Sequence, residues 1–149
     1  MEPWINYTKE GGFIDMCLNK VTKEYKPYLK RRMKVWKGFN VSSEGLPLFP
    51  YCALGNGTTR VPVGKVLTAK AVSIRMPGGK KYKSGFHCFI NEKDAMVWKR
   101  LNLYAGSSVA VQVEVNEIMY RGLQIGTVGG KKLCPAVIAH KMLLKEADW

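Results

Sequence analysis

From Val109 to Val115 every second residue is valine, with Ala110, Gln112 and Glu114 between. Only an extended chain sends alternate residues to opposite faces, so this period of two requires a strand with unlike sides. Valine adds to the requirement, because its branched Cβ packs well on a pleated surface and is stiff in a helix. A strand alone is unstable in water, so the remaining sequence has to supply partners for it.

Several segments qualify as partners. Val35, Phe39 and Val41 fall on one face of an extended segment, with Trp36, Gly38 and Asn40 on the other. Ser42-Ser43-Glu44-Gly45, Pro47, Pro50 and Gly55-Asn56-Gly57 then punctuate a loop region. A long strand is predicted from about Val66 to Met76, a turn at Pro77-Gly78, and a return strand from Lys80 to Ile90. Further strands are predicted over Ile118 to Val128 and Ala136 to Leu144, separated by Gly129-Gly130. Pro135 suggests that the last of these starts at an edge.

Two segments read as helical. Phe13, Ile14, Cys17, Leu18, Val21, Tyr25, Tyr28 and Leu29 recur at spacings of three and four, predicting a helix that Pro27 ends or kinks. Asn91, with Asp94 three residues on, caps a second, short helix whose buried face carries Ala95, Trp98 and Leu101. A chain of 149 residues fits one core. The expected fold is therefore α+β, a single domain over residues 1–149. It has a mainly antiparallel sheet, an N-terminal helix and one short central helix. Residues 1–32 form the helical segment and 33–149 the β-rich body.

Charge bounds the function. Lys and Arg number 24 against 11 acidic residues, a formal net charge of +13. Such a surplus raises the self-repulsion of the folded state and points to a phosphate-rich partner. No run approaches the ~18 apolar residues of a membrane-spanning helix, and no signal-like segment opens the sequence, so no membrane partner is expected. Cys17, Cys52, Cys88 and Cys134 are well separated, with no C-x-x-C, which reads as free thiols in a reducing, cytoplasmic setting.

Catalytic and metal constellations are missing from the pattern. His87 and Cys88 are adjacent, but neighbours on a strand face opposite ways and cannot readily share a metal. No acid and base carboxylates stand as a pair, and Gly78-Gly79-Lys80-Lys81 and Gly129-Gly130-Lys131-Lys132 lack the strand-to-helix setting of a phosphate loop. No enzyme, cofactor or metal is expected.

The basic clusters carry more. Lys20, Lys23, Lys26, Lys30, Arg31, Arg32, Lys34 and Lys37 face Glu24 alone in their segment, eight charges minus one, or +7. Tyr25, Tyr28 and Trp36 are interleaved, the mixture expected of a surface that neutralises phosphates and stacks bases. The candidate anion-binding set is Lys26, Lys30, Arg31, Arg32, Lys34, Trp36 and Lys37, then Arg75, Lys80, Lys81 and Lys83 around the hairpin turn, and Lys131 and Lys132 after the glycine pair. Lysine-tipped turns are also common solvated features, and Tyr25 and Tyr28, lying on the apolar stripe, fit the core better than a stacking platform. An alternative nucleotide pocket, between the protomers of a homodimer, draws on Phe86, His87, Tyr120 and Arg121, since aromatic and guanidinium planes sandwich bases.

The runs Met33-Lys34-Val35-Trp36-Lys37-Gly38-Phe39 and Gly85-Phe86-His87-Cys88-Phe89, then Asp94-Ala95 and a valine-rich strand with a glycine turn, resemble short uncharacterised phage and bacterial proteins. The likeness covers residues 33 to 144 and brings no activity with it. It implies a phage-type inhibitor of bacterial immunity, similar to anti-CRISPR proteins, acting in the host cytoplasm. Its partner would be nucleic acid, RNA in preference to duplex DNA, or a host defence ribonucleoprotein. The alternatives are a sponge for a nucleotide second messenger and a small RNA-binding protein.

Overall fold

A computed structural model describes Leu18 and residues 20–48, 60–70, 73–75, 81–99, 107–125 and 133–149. In chain order its elements are β1 (Lys20–Leu29), β2 (Met33–Val41), β3 (Pro47–Leu48), β4 (Val66–Thr68), β5 (Ser73–Arg75), β6 (Lys81–Lys83) and β7 (Phe86–Phe89). These are followed by α1 (Glu92–Lys99), β8 (Ser107–Ile125), β9 (Leu133–Leu143) and a 3-10 turn at Glu146–Asp148.

The valine run is the first half of β8, a strand of 19 residues that organises the rest. β2 lies antiparallel along this half, from Met33 opposite Val115 to Val41 opposite Ser107. The second half is flanked by β1, from Lys20 opposite Leu123 to Leu29 opposite Ile118, and by β9, from Glu114 opposite Leu143 to Ile125 opposite Leu133. β7 pairs with β9 and reaches back to β2 where Trp36 faces Phe89. The pairings β8–β2, β2–β7, β7–β9 and β9–β8 thus form a ring. β4 lengthens the far edge of β9, β3 that of β2, and β5–β6 form a separate ribbon.

One strand can serve both halves because it changes course in the middle. Glu117 has φ of 56°, uncommon for a residue with a side chain, and its N–H donates to the Asn116 side-chain oxygen at 2.7 Å. The register against β9 shifts between Ile118 and Tyr120. Such irregularities bend the bulged strand and increase its twist.

Two apolar layers result. Inside the ring Val35, Phe39, Phe86, Cys88, Val113, Val115, Ile118, Val137, Ala139 and Met142 pack together. The opposite faces of the same strands give Phe89, Met119, Tyr120, Cys134, Ala136 and Ile138, covered by Leu18, by Tyr82 of β6 and by Ala95 of α1. His87 and Cys88 do lie on opposite sides of β7, as strand alternation requires.

The architecture is a mostly antiparallel sheet, not an α+β fold with an N-terminal helix. Lys20–Leu29 is strand β1; residues 1–17, which carry Phe13, Ile14 and Cys17 of the predicted helix, lie outside the described residues. The apolar spacing misleads here because the partly buried residues of this largely exposed strand touch two different layers. Val21 and Tyr28 pack on one layer and Tyr25 and Leu29 on the other. The register of β1 on β8 also slips between Val21 and Lys23 and again between Glu24 and Leu29, so its few apolar contacts lose the period of two and pass for a helical stripe. The branched and aromatic residues of β1 also favour an extended chain once β8 offers a ladder.

Smaller corrections follow the same logic. The strand predicted from Val66 to Met76 is two short strands in different sheets, the first following β9 as far as Ala69, whose N–H donates to the His140 carbonyl at 2.8 Å. The return strand from Lys80 to Ile90 likewise breaks at Ser84-Gly85 into β6 and β7. Gly85 lies against β9, where a Cβ would stand 2.6 Å from the Ala139 carbonyl oxygen. The strands predicted at 109–115 and from Ile118 are one continuous strand to Ile125. The last strand begins at Leu133, before Pro135. The central helix is present as α1, its buried side marked by Ala95; Leu101 and the Pro77-Gly78 turn lie outside the described residues. No described helix is long and apolar enough to cross a membrane.

Candidate nucleic-acid interface

Strand geometry redistributes the basic residues. Lys20, Lys23, Lys26, Lys30, Arg31, Arg32 and Lys34 are all exposed along β1, the short link after it and the start of β2. Lys37 is withdrawn from them. It lies between Val35 and Phe39 on the inner face, is 6% exposed, and its ammonium donates to the His87 carbonyl at 2.7 Å. Burial pushes the Lys37 amine below the usual lysine range, against a smaller opposing influence of Cys88. The exposed charge over Lys20–Lys34 is therefore seven minus Glu24, or +6. Trp36 is half-buried and packs on the outer layer with Ala110, which makes it part of the scaffold.

The hairpin ribbon is brought to the same part of the molecule. Leu18 N–H donates to the Tyr82 hydroxyl at 3.0 Å, and Lys83 N–H to the Tyr120 hydroxyl at 3.1 Å. Tyr82 and Tyr120 meet edge to face with ring centroids 5.5 Å apart. Lys81 and Lys83, which flank the buried Tyr82, are consequently exposed above β8 near the start of β1. Arg75 is the last residue of β5, paired in register with Lys81. Lys80, Lys131 and Lys132 lie outside the described residues.

Of the four residues of the predicted nucleotide pocket, His87 and Tyr120 converge, through Tyr82. Phe86 belongs to the inner layer, and Arg121 faces away from Tyr120 by strand alternation, so within one chain the four side chains do not converge on one face. The Tyr82–His87 pair is instead a structural relay. The Tyr82 hydroxyl lies 3.1 Å from His87 Nε2, and His87 Nδ1 lies 3.1 Å from the Gly85 carbonyl. A neutral imidazole with its proton on Nδ1 donates to Gly85 and accepts from Tyr82, which in turn accepts from Leu18. Burial, helped by the Lys37 ammonium, lowers the His87 pKa to about 3 against a smaller raising influence of Gly85. Replacing Tyr82 by Phe leaves the Leu18 N–H and His87 Nε2 without their partner. Urea denaturation should show a loss of about 1–3 kcal/mol; a change below about 0.5 kcal/mol, the size of an ordinary surface substitution, would dismiss the relay.

Acidic residues are placed unevenly along the basic strip. Glu114 holds Arg32 at 3.7 Å and Lys145 at 3.2 Å and lies opposite Lys34 in register. Glu117 holds Lys141 at 3.0 Å, and Glu24 holds Lys26 at 3.3 Å. Lys20 and Lys23 are left free of any ion pair among the described residues, and so are Lys30 and Arg31. Lys23 lies over the Tyr25 ring, 5.9 Å from its centroid. Opposite Lys20 and Lys23 stand Leu123 and Arg121. The sequence counts Lys20 and Lys23 as charge, but nothing in it sets them beside an arginine on a distant strand. No group of three His, Cys, Asp or Glu able to hold a metal occurs among the described residues.

No protein family, curated protein or solved structure matches the chain.

Proposed function

We propose that the protein binds single-stranded nucleic acid, RNA in preference to duplex DNA, through the cationic strip that runs along β1 and the link to β2. The observation that carries this reading is the run of seven exposed cations from Lys20 to Lys34 against the single acid Glu24. A ridge of cations contacts a flexible phosphate backbone without needing the depth of a duplex groove. In a cell, the inhibitor role implied by the likeness of residues 33–144 to phage proteins would follow from the same contact, by occupying the guide RNA or nucleic-acid channel of a CRISPR effector.

Gel shifts with RNA, single-stranded DNA and duplex DNA at about 50 and 200 mM salt test it. Binding should be strongest to RNA and weaken steeply with salt. Changing Lys30, Arg31 and Arg32 together to Ala should lower the salt slope by roughly two, at about 0.7 per phosphate contact for a single strand. The fold should hold, because Arg32 makes only an exposed ion pair and such pairs add little stability. Salt-insensitive binding, or an unaltered affinity in the triple variant, would refute the reading.

A further inference from the structure

The second half of β8 carries an arginine that the fold leaves unsatisfied. Arg121 is half-buried, and its Nε is enclosed without a hydrogen-bond partner among the described residues. Leaving such a donor unpaired is costly, the more so for a charged group, so an orphan of this kind calls for an explanation. Its surroundings make the cost greater. Lys23 lies directly opposite on β1 and Val137 directly opposite on β9, so the three side chains share one face. Lys20 joins them through Leu123, two residues along β8 on that same face. Three cations thus line one side of the β1–β8 ladder. Like charges facing each other across a ladder destabilise it. The acid nearest in sequence, Glu24, is paired in register with Tyr120 on the other face and is engaged by Lys26.

We propose, building on the nucleic-acid reading above, that Arg121 and Lys23 form a two-point seat for one phosphate group. The Arg121 Nε–H supplies a directed, charge-assisted hydrogen bond from a side chain held by the sheet, and the Lys23 ammonium supplies the second charge from above the Tyr25 ring. Because the Arg121 Nε is enclosed, a phosphate takes this place as the arginine side chain turns its Nε–H outward toward Lys23, which satisfies the orphan donor and separates the two facing cations with a counter-charge. The cations from Lys30 to Lys34 attract a polyanion over a distance, whereas this seat fixes where one of its phosphates rests.

The Arg121 Nε–H signal in the nuclear magnetic resonance spectrum of the isotope-labelled protein is the direct readout. It should shift on adding sodium phosphate and on adding a short single-stranded RNA, and stay still on adding sodium chloride at matched ionic strength. RNA with and without a 5′-phosphate separates a terminal from an internal phosphate: an equal response places an internal one in the seat. Arg121→Lys keeps the charge and removes the guanidinium fork, and should weaken RNA binding about tenfold, the loss of one hydrogen bond to a charged group. If RNA binds and the triple variant weakens it, while the Arg121 signal stays unmoved and Arg121→Lys binds like the parent, the seat is refuted and the surface reading stands. If phosphate shifts Arg121 but no RNA binds, the seat stands and the surface reading falls.

Discussion

Changing Gly122 to Ala is expected to part β1 from β8 and to cost nucleic-acid binding together with stability. Gly122 pairs with Val21 across the ladder, and its missing side chain leaves the space that β1 occupies. A Cβ added there would land on the Lys20 carbonyl and lie 2.9 Å from Leu18 Cδ1. The carbonyl belongs to backbone, so no side-chain rotation relieves the clash and the strand itself has to move. Overpacking of this kind costs about 1–3 kcal/mol and occasionally more. The damage should stay local. β2 and β9 hold β8 through long registers that do not involve Gly122's contact with Lys20. Hydrogen exchange should therefore show β1 amides losing protection while Val111 to Val115 keep theirs. Because Lys20, Lys23 and Lys26 ride on β1, RNA affinity should fall by about tenfold or more with no charge removed, an effect the loss of one or two phosphate contacts produces at moderate salt. A Gly122→Ala protein with full β1 protection, or with unchanged affinity, would contradict this account.

The same strand marks the limit of what could be read beforehand. The valine alternation located β8 because one of its faces is uniformly apolar there, and Asn91 with Asp94 located α1 because capping is a local interaction. β1 could not be read, since Val21, Tyr25, Tyr28 and Leu29 answer to two different layers whose other members lie on distant strands. Lys37 fails in an instructive way. Between Val35 and Phe39 its position already has the period of an inward residue, but lysine is so rarely buried that type outweighs position. What allows its burial is the His87 carbonyl, on a strand paired to β2 through Trp36 and Phe89. The Arg121–Lys23 pairing is equally non-local, because register between β1 and β8 depends on irregularities within β1 that no local signal announces.

Acid should destabilise the protein through His87 well before the carboxylates begin to titrate. The folded state holds His87 at a pKa of about 3, against 6.5 for an unperturbed histidine. A group whose folded pKa is depressed binds fewer protons folded than unfolded between the two values, so the unfolded state gains as pH falls. The stability is fully present above pH 6.5 and is lost progressively from there down to about 3. At 1.36 kcal/mol per pH unit the whole window amounts to something on the order of 5 kcal/mol, a large share of a small domain's total. Between about pH 6.5 and 5 the carboxylates are still mostly ionised, so a slope that grows from about 0.7 toward about 1.4 kcal/mol per pH unit across that interval belongs to histidine. The alkaline side behaves differently. Burial raises the Cys88 thiol to about 11 from 9.0, so Cys88 loses stability as pH climbs between those values, whereas the lowered Lys37 amine gains it up to the ordinary 10.5. These two neighbours act in opposite directions, which makes the acid limb the one to measure. Urea midpoints taken from pH 7.5 to 4.5 should fall in the parent protein and flatten in His87→Gln above pH 5, whatever the variant's absolute stability. A His87 ring resonance that titrates near pH 6 in the folded protein would remove the cause, and with it the neutral imidazole that joins Tyr82 to Gly85.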